Sequence, residues 1–202
     1  MTFSIVALDR NTSTLGVATA TGSIYVGSRV PHLEAGVGAI ATQGLTQTLY
    51  GVKGLELLKA GYTPQEALQK MLMEDPGREH RQVIIIDVKG RKAAFTGLET
   101  PSFKGHIIGQ DYVAAGNLLA SEKVVEKMVE AFEKEGDLPE KLLRALKAGR
   151  EAGGDARGER SAALIIAPYK PKNRLALKVD NHQDPIGELI KLYTAQTKST
   201  KI

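Results

Sequence analysis

The sharpest chemical candidate in this sequence is Thr2, a threonine directly after the first methionine. Methionine followed by a small residue is a normal substrate for methionine removal. A threonine left at the terminus would carry a nucleophilic hydroxyl and, in its own α-amine, a general base for that hydroxyl. The ordinary pKa of such an amine, about 7.7–8.0, suits the task. Thr2 also opens an alternating apolar run, where a β-branched residue is equally at home as a plain strand former.

The densest polar segment is Gly153-Gly154-Asp155-Ala156-Arg157-Gly158-Glu159-Arg160-Ser161, with four charged residues and three glycines just before an apolar strand. Glycine permits tight backbone geometry there. Asp155 could orient Arg157 or a terminal amine through a charge-assisted hydrogen bond, and Arg157 could clamp a substrate carboxylate. A helix C-cap followed by a polar turn explains the same residues without chemistry. Thr42-Gln43-Gly44 ends another strand. Backbone amides there, with Gln43, could form an oxyanion hole, or the segment could be a strand-to-helix turn capped by Thr46. Asn117, after Gly116, could donate to an oxyanion, hold a substrate amide, or cap the next helix. Thr42 and Arg81 are candidate substrate contacts, although an ion-pair cluster with Asp75 and Arg78 also accounts for Arg81. Arg29 and Lys53 are cations whose charge could depress the pKa of a nearby amine.

Positioning these groups requires a mixed fold. Phe3, Ile5 and Ala7 alternate, and Thr14 to Ala20 returns after an Asp9–Thr12 turn, as a hairpin does. A strand runs from Val37 into Gln43-Gly44. Leu49, Val52, Leu55 and Leu58 then mark a helix ended by Gly61. Thr63-Pro64-Gln65-Glu66 is a capping box that opens a second helix to about Met73. Strands are expected over Gln82–Val88, Lys92–Phe95, around Ile107 and over Tyr112–Gly116. Ser121 is expected to cap a helix bearing Val124, Val125, Met128 and Phe132, and Asp137 starts another with Leu142, Leu143 and Leu146. Ser161–Ala167 and Leu175–Val179 form a last hairpin, and Asp184-Pro185 opens a helix through Tyr193. Helix pairs separated by hairpins exclude a doubly wound sheet. They imply an α+β, four-layer αββα sandwich of two mainly antiparallel sheets flanked by helices. One domain over residues 1–202 is expected, with 195–202 a flexible tail.

Composition narrows the function. The 202 residues hold no cysteine, which removes disulfides, thiolate metal sites and cysteine nucleophiles. The net charge of +4 is scattered, the densest basic stretches being Lys170, Lys172 and Arg174 and then Lys198 and Lys201. Aromatics make up only 5% and tryptophan is absent, so no nucleic-acid partner is expected. No run approaches the ~20 apolar residues of a membrane span, and the N-terminus lacks the features of a signal peptide. A cytoplasmic protein without a membrane partner is the expectation. His32, His80, His106 and His182 show no ligand spacing. Asp184 beside His182 reads as a helix cap. No phosphate-cradling glycine loop occurs, so neither metal nor cofactor is expected.

The blocks TFSIVALD, EAGVGAIATQG, DPGREHRQV, AAFTG, YVAAGNLL, GGDARGERSAAL and VDNHQDPIGEL, in that order, resemble the family called domain of unknown function 1028. The resemblance runs from Thr2 to about Leu192. It implies the N-terminal-nucleophile (Ntn) hydrolase-like fold, the αββα sandwich also used by proteasome subunits. Within that fold Thr2 would be the nucleophile, Gln43, Gly44 and Asn117 would stabilise the oxyanion, and Asp155 with Ser161 would hold the amine or relay a proton. Thr42, Arg81 and Arg157 would bind substrate. His32, Arg160, Asn181 and Gln183 depart from the family's usual residues, and no lysine matches the one used by the proteasome relatives. The reading is an amide-bond hydrolase acting on a small molecule through an acyl-enzyme, with homo-oligomers expected. The alternative is a non-catalytic ligand-binding or regulatory module on the same scaffold.

Overall fold

The computed structural model describes residues 2–169 and 174–199. Lys170, Lys172 and Lys201 of the basic stretches lie outside the described residues.

Among the described residues ten strands build two antiparallel sheets. They are β1 (Thr2–Asp9), β2 (Thr14–Thr21), β3 (Pro31–Glu34), β4 (Gly38–Gly44), β5 (Arg81–Asp87), β6 (Lys92–Thr96), β7 (Gly105–Ile108), β8 (Tyr112–Asn117), β9 (Ser161–Ala167) and β10 (Leu175–Val179). The six-stranded sheet has the order β10-β9-β2-β1-β8-β7, and the four-stranded sheet the order β3-β4-β5-β6. Helices α1 (Leu49–Lys59) and α2 (Pro64–Glu74) cover the smaller sheet. Helices α3 (Lys123–Phe132), α4 (Leu138–Glu151) and α5 (Pro185–Ser199) cover the larger one. The layers are therefore αββα, as expected.

Strand alternation sorts the core into three layers. Phe3, Ile5, Ala18, Ala114 and Leu164 point outward under Met128, Leu142 and Leu146 of the larger sheet's helices. Val6, Val17, Val113, Ala163 and Ile165 point inward and meet Ala39, Ala41, Ile84 and Ile86 of the smaller sheet. Ile40, Val83 and Ile85 back onto Tyr50, Leu68 and Met71 of α1 and α2. Burial of this area is the main favourable term. The Tyr112 and Phe132 rings, with centroids 4.9 Å apart, bind β8 to α3.

The helix ends differ from the sequence reading in places. Ser121 does not cap α3; that helix begins at Lys123 with Glu122 at the cap position, and Ser121 Oγ donates to Ala152 O at 3.2 Å. Thr46 does not cap α1, whose preceding residue is Thr48. Asp184 does cap α5, accepting from Gly187 N at 2.8 Å. That helix passes Tyr193 and runs to Ser199, so residues 195–199 of the expected tail are helical. Thr194 and Thr197 donate back to Ile190 O and Tyr193 O along it. Residues 200–202 lie outside the described residues. The capping box of α2 is complete: Thr63 Oγ1 accepts from Glu66 N at 3.2 Å, and Glu66 Oε2 accepts from Thr63 N at 2.7 Å. Thr63→Ala is expected to lower stability by about 1 kcal/mol, read as an earlier midpoint in urea unfolding.

Candidate active site

The inward face of β1, β2, β4, β5, β8 and β9 is apolar for most of its length and becomes polar at one end of the sandwich. Two residues on from Val6 lies Ser4, then Thr2; two on from Val17 lies Thr19, then Thr21. Ala41 is followed by Gln43, Ala115 by Asn117, and Ile84 and Ala163 are preceded by Gln82 and Ser161. Antiparallel pairing brings these ends together, because Thr2 stands opposite Asn117, Thr21 opposite Ser161, and Gln43 opposite Gln82. All eight side chains are buried.

Burying so many polar groups is costly unless each finds a partner. Ser4 Oγ donates to Gln43 Oε1 at 2.6 Å and shares a 2.8 Å hydrogen bond with Thr19 Oγ1. Gln43 Nε2 reaches across to Gln82 Oε1 at 2.7 Å and to the carbonyl of Thr2 at 3.3 Å. Gln82 Nε2 faces the carbonyls of Gly105 and Gly116 and the Thr96 hydroxyl, at 2.9–3.0 Å. Its Oε1 also receives Asn117 Nδ2 at 2.8 Å. Two glutamine amides thus tie the sheets together and pin the backbone of Thr2.

Above this network Thr2 opens on a cavity of about 250 Å³, lined by Thr2, Thr21, Ser23, Val26, Arg29, Val30, Gly44, Leu45, Thr46 and Thr48. Gly44 has φ +85°, and a Cβ there would lie 2.5 Å from His80 O, so only glycine fits. Thr42 N bonds Val30 O, beside the start of β3. Strand alternation puts the Gly44 N–H on the same edge of β4 as the Thr42 N–H, and Gly44 lines the cavity. Arg29 is the charged residue in the lining, and its guanidinium donates to Ile24 O at 2.9 Å.

A family model described as a family of unknown function, DUF1028, matches residues 2–189. The chain belongs to that family. It is similar to a crystal structure of a DUF1028 protein from Silicibacter pomeroyi at 36% identity and a TM-score of 0.92, over 97% of this chain and 86% of that one. A second similar structure is Anbu, an ancestral β-subunit from Yersinia bercovieri, at 10% identity and a TM-score of 0.47, over 99% of this chain and 96% of that one. No curated protein matches.

Two of the residues expected to depart from the family pattern answer each other: Arg160 Nε and Nη2 both donate to Asn181 Oδ1, at 3.2 and 2.5 Å. A third, His32, packs its ring against Gly51, where a Cβ would come within 2.0 Å, and burial pushes its pKa down.

The sequence candidates are not all brought to the cavity. Thr2 and Gly44 line it. Gln43 lies beneath it, its amide taken up by Ser4, Gln82 and Thr2 O rather than offered to an oxyanion. Asn117 likewise gives its donor to Gln82. Asp155 accepts from Gly22 N at 2.7 Å and from the Arg157 side chain at 2.8–2.9 Å. Ser161 Oγ donates to Ser23 O at 2.7 Å and accepts from Val26 N at 3.0 Å. Both therefore hold the 22–26 loop that forms one wall of the cavity. Gly22 makes this contact possible, since a Cβ there would meet Gly158 O at 2.6 Å and Asp155 Oδ1 at 2.9 Å.

Thr42 and Arg81 fall on the other face of their strands. Thr42 Oγ1 donates to Gln47 O at 3.1 Å. Arg81 Nε donates to Asp75 Oδ2 at 2.8 Å, and its Nη1 to Leu45 O at 2.6 Å. Lys53 pairs with Glu74 on the outer helices. Among residues without a sequence signal, Gln82 is the hub. The missed cue was a polar residue at the first inward position of an otherwise apolar strand.

The Asp75–Arg81 pair is structural, with side chains only 14% and 12% exposed. Donation from Arg81 is the main reason that the Asp75 carboxyl sits below its usual pKa. Such a carboxylate stabilises the fold above its unfolded value of ~3.9, and the contribution fades as pH falls through the lower folded value. Asp75→Asn is expected to cost about 2 kcal/mol at neutral pH and to flatten the acid limb of the stability profile, measured by urea unfolding at stepped pH.

Proposed function

We propose that this protein is an amide-bond hydrolase of the N-terminal-nucleophile type, acting on a small substrate that carries a carboxylate. The observation that carries the reading is Thr2 itself, the first residue of a central strand, set at the floor of a cavity whose lining contains a cation and no acid. Removal of Met1 leaves Thr2 with a free α-amine. Thr2 Oγ attacks the amide carbonyl while the amine accepts the hydroxyl proton, directly or through water. The oxygen of the tetrahedral intermediate is stabilised by the Gly44 N–H. The C–N bond then breaks, the amine returns its proton to the leaving nitrogen, and water hydrolyses the acyl-threonine ester.

Arg29 takes the substrate-binding role expected of Arg81 and Arg157, because those two guanidinium groups are engaged by Asp75 and Asp155. Val26, Val30 and Leu45 supply apolar wall, and Thr21, Ser23, Thr46 and Thr48 supply hydroxyls. A cavity of 250 Å³ suits a small metabolite better than a folded peptide.

The test is hydrolysis of a panel of N-acyl amino acids and neutral amides by the parent, Thr2→Ala, Thr2→Ser and Arg29→Glu. Thr2→Ala should lose a thousandfold or more, on the order of other nucleophile deletions, while Thr2→Ser keeps measurable turnover. Arg29→Glu should lose about tenfold or more in kcat/KM on the acidic members alone. A Thr2→Ala variant as active as the parent overturns the reading.

A further inference from the structure

Among the described residues one buried side-chain oxygen or nitrogen lacks a hydrogen-bond partner, and it is Asn117 Oδ1. Its orientation is not arbitrary. Gln82 Nε2 faces the carbonyls of Gly105 and Gly116, which can only accept, so Gln82 must present its oxygen to Asn117. Asn117 must then face Gln82 with Nδ2, at 2.8 Å. Turning the Asn117 amide over would set two carbonyl oxygens against each other. Oδ1 is therefore left as an acceptor, fully buried, at the end of β8. An unmet acceptor in such surroundings is expensive, and native proteins rarely leave one without a purpose.

Thr2 is the residue opposite. The register pairs Thr2 with Asn117, and both side chains point inward. Leu8 N donates to Asp111 O at 2.9 Å in the same ladder. Every second pair from there exchanges backbone bonds, which makes Thr2 and Asn117 such a pair and aims the Thr2 nitrogen at Asn117 O. An internal amide nitrogen has one hydrogen, and this bond uses it. A terminal amine has more.

We propose that Asn117 is a positioning residue for the α-amine of processed Thr2, with its backbone carbonyl and Oδ1 accepting two of that amine's hydrogens. The inference rests on the reading of Thr2 as the processed nucleophile. It gives Asn117 the opposite role from the oxyanion donor that the sequence suggests. Held by two acceptors, the amine keeps its lone pair directed away from β8, toward the Thr2 hydroxyl. Each N–H bond also favours the protonated amine over the neutral one.

The experiment is pH-dependent carbamylation with cyanate, which reacts with the neutral amine, followed by mapping of the N-terminal peptide. It is run on the parent, Asn117→Ala and Asn117→Asp. Loss of the acceptor in Asn117→Ala should lower the midpoint of labelling by about one pH unit, and the acid limb of the hydrolysis profile should move with it. Asn117→Asp, which keeps the acceptor and adds charge, should raise the midpoint. Loosening of the fold alone would move both variants in the same direction. Equal midpoints, or shifts of the same sign, overturn the proposal while leaving Thr2 as nucleophile. Recovery of the N-terminal peptide with Met1 attached overturns the Thr2 reading instead.

Discussion

The hydrogen bond between Gln43 and Gln82 is the constraint on which the rest of the molecule turns. These two amides come from neighbouring strands of the smaller sheet, yet they reach the larger one through Ser4, Thr2 O, Gly116 O and Asn117. An apolar sandwich is closed by the hydrophobic effect, which is non-directional. At its open end the packing residues run out, and directional bonds must define how the two sheets meet. In a low-dielectric interior such a network is strong when complete and costly when broken. The strand that bears Thr2 is thereby set against the end of β4 with little freedom, which is what the proposed role of Thr2 would require.

A division of labour follows. The residues that attract attention by charge, Asp155 and Arg157, form a brace with Gly22, and Ser161 completes it through Ser23 and Val26. They shape the cavity wall from outside. The residues in contact with the cavity are hydroxyls, small apolar groups and Arg29. A cavity lined by a single charged residue, Arg29, fits the proposed chemistry, because an amine must be neutral at working pH to accept a proton. A carboxylate set directly against it would hold it protonated.

Much of the fold was legible because long-period signals are robust. The capping box at Thr63, the helix face of Val124, Val125, Met128 and Phe132, and the hairpin of β1 and β2 all occur where the periodicity places them. Short features were less so. β3 spans only Pro31–Glu34 and carries too little alternation to stand out. Ser121 looked like a cap but bonds to a carbonyl of the α4 end, a tertiary contact that no local pattern encodes. For the site, alternation was the unused cue. It separates Gln43 and Gln82, which face inward, from Thr42 and Arg81, one residue away on the helix side. Arg29 could be suspected by charge, whereas its place beside Thr2 depends on the loop held by Asp155 and Ser161.

The central claim is that Thr2 Oγ is the nucleophile of this cavity. Its most direct test is treatment of the protein with a β-lactone, an electrophile whose ring opening transfers an acyl group to an activated hydroxyl, followed by intact-mass measurement and peptide mapping. The account predicts a single acyl group on Thr2, absent from Thr2→Ala and from chains that keep Met1. Labelling at another residue, or equal labelling of the Thr2→Ala variant, would contradict it.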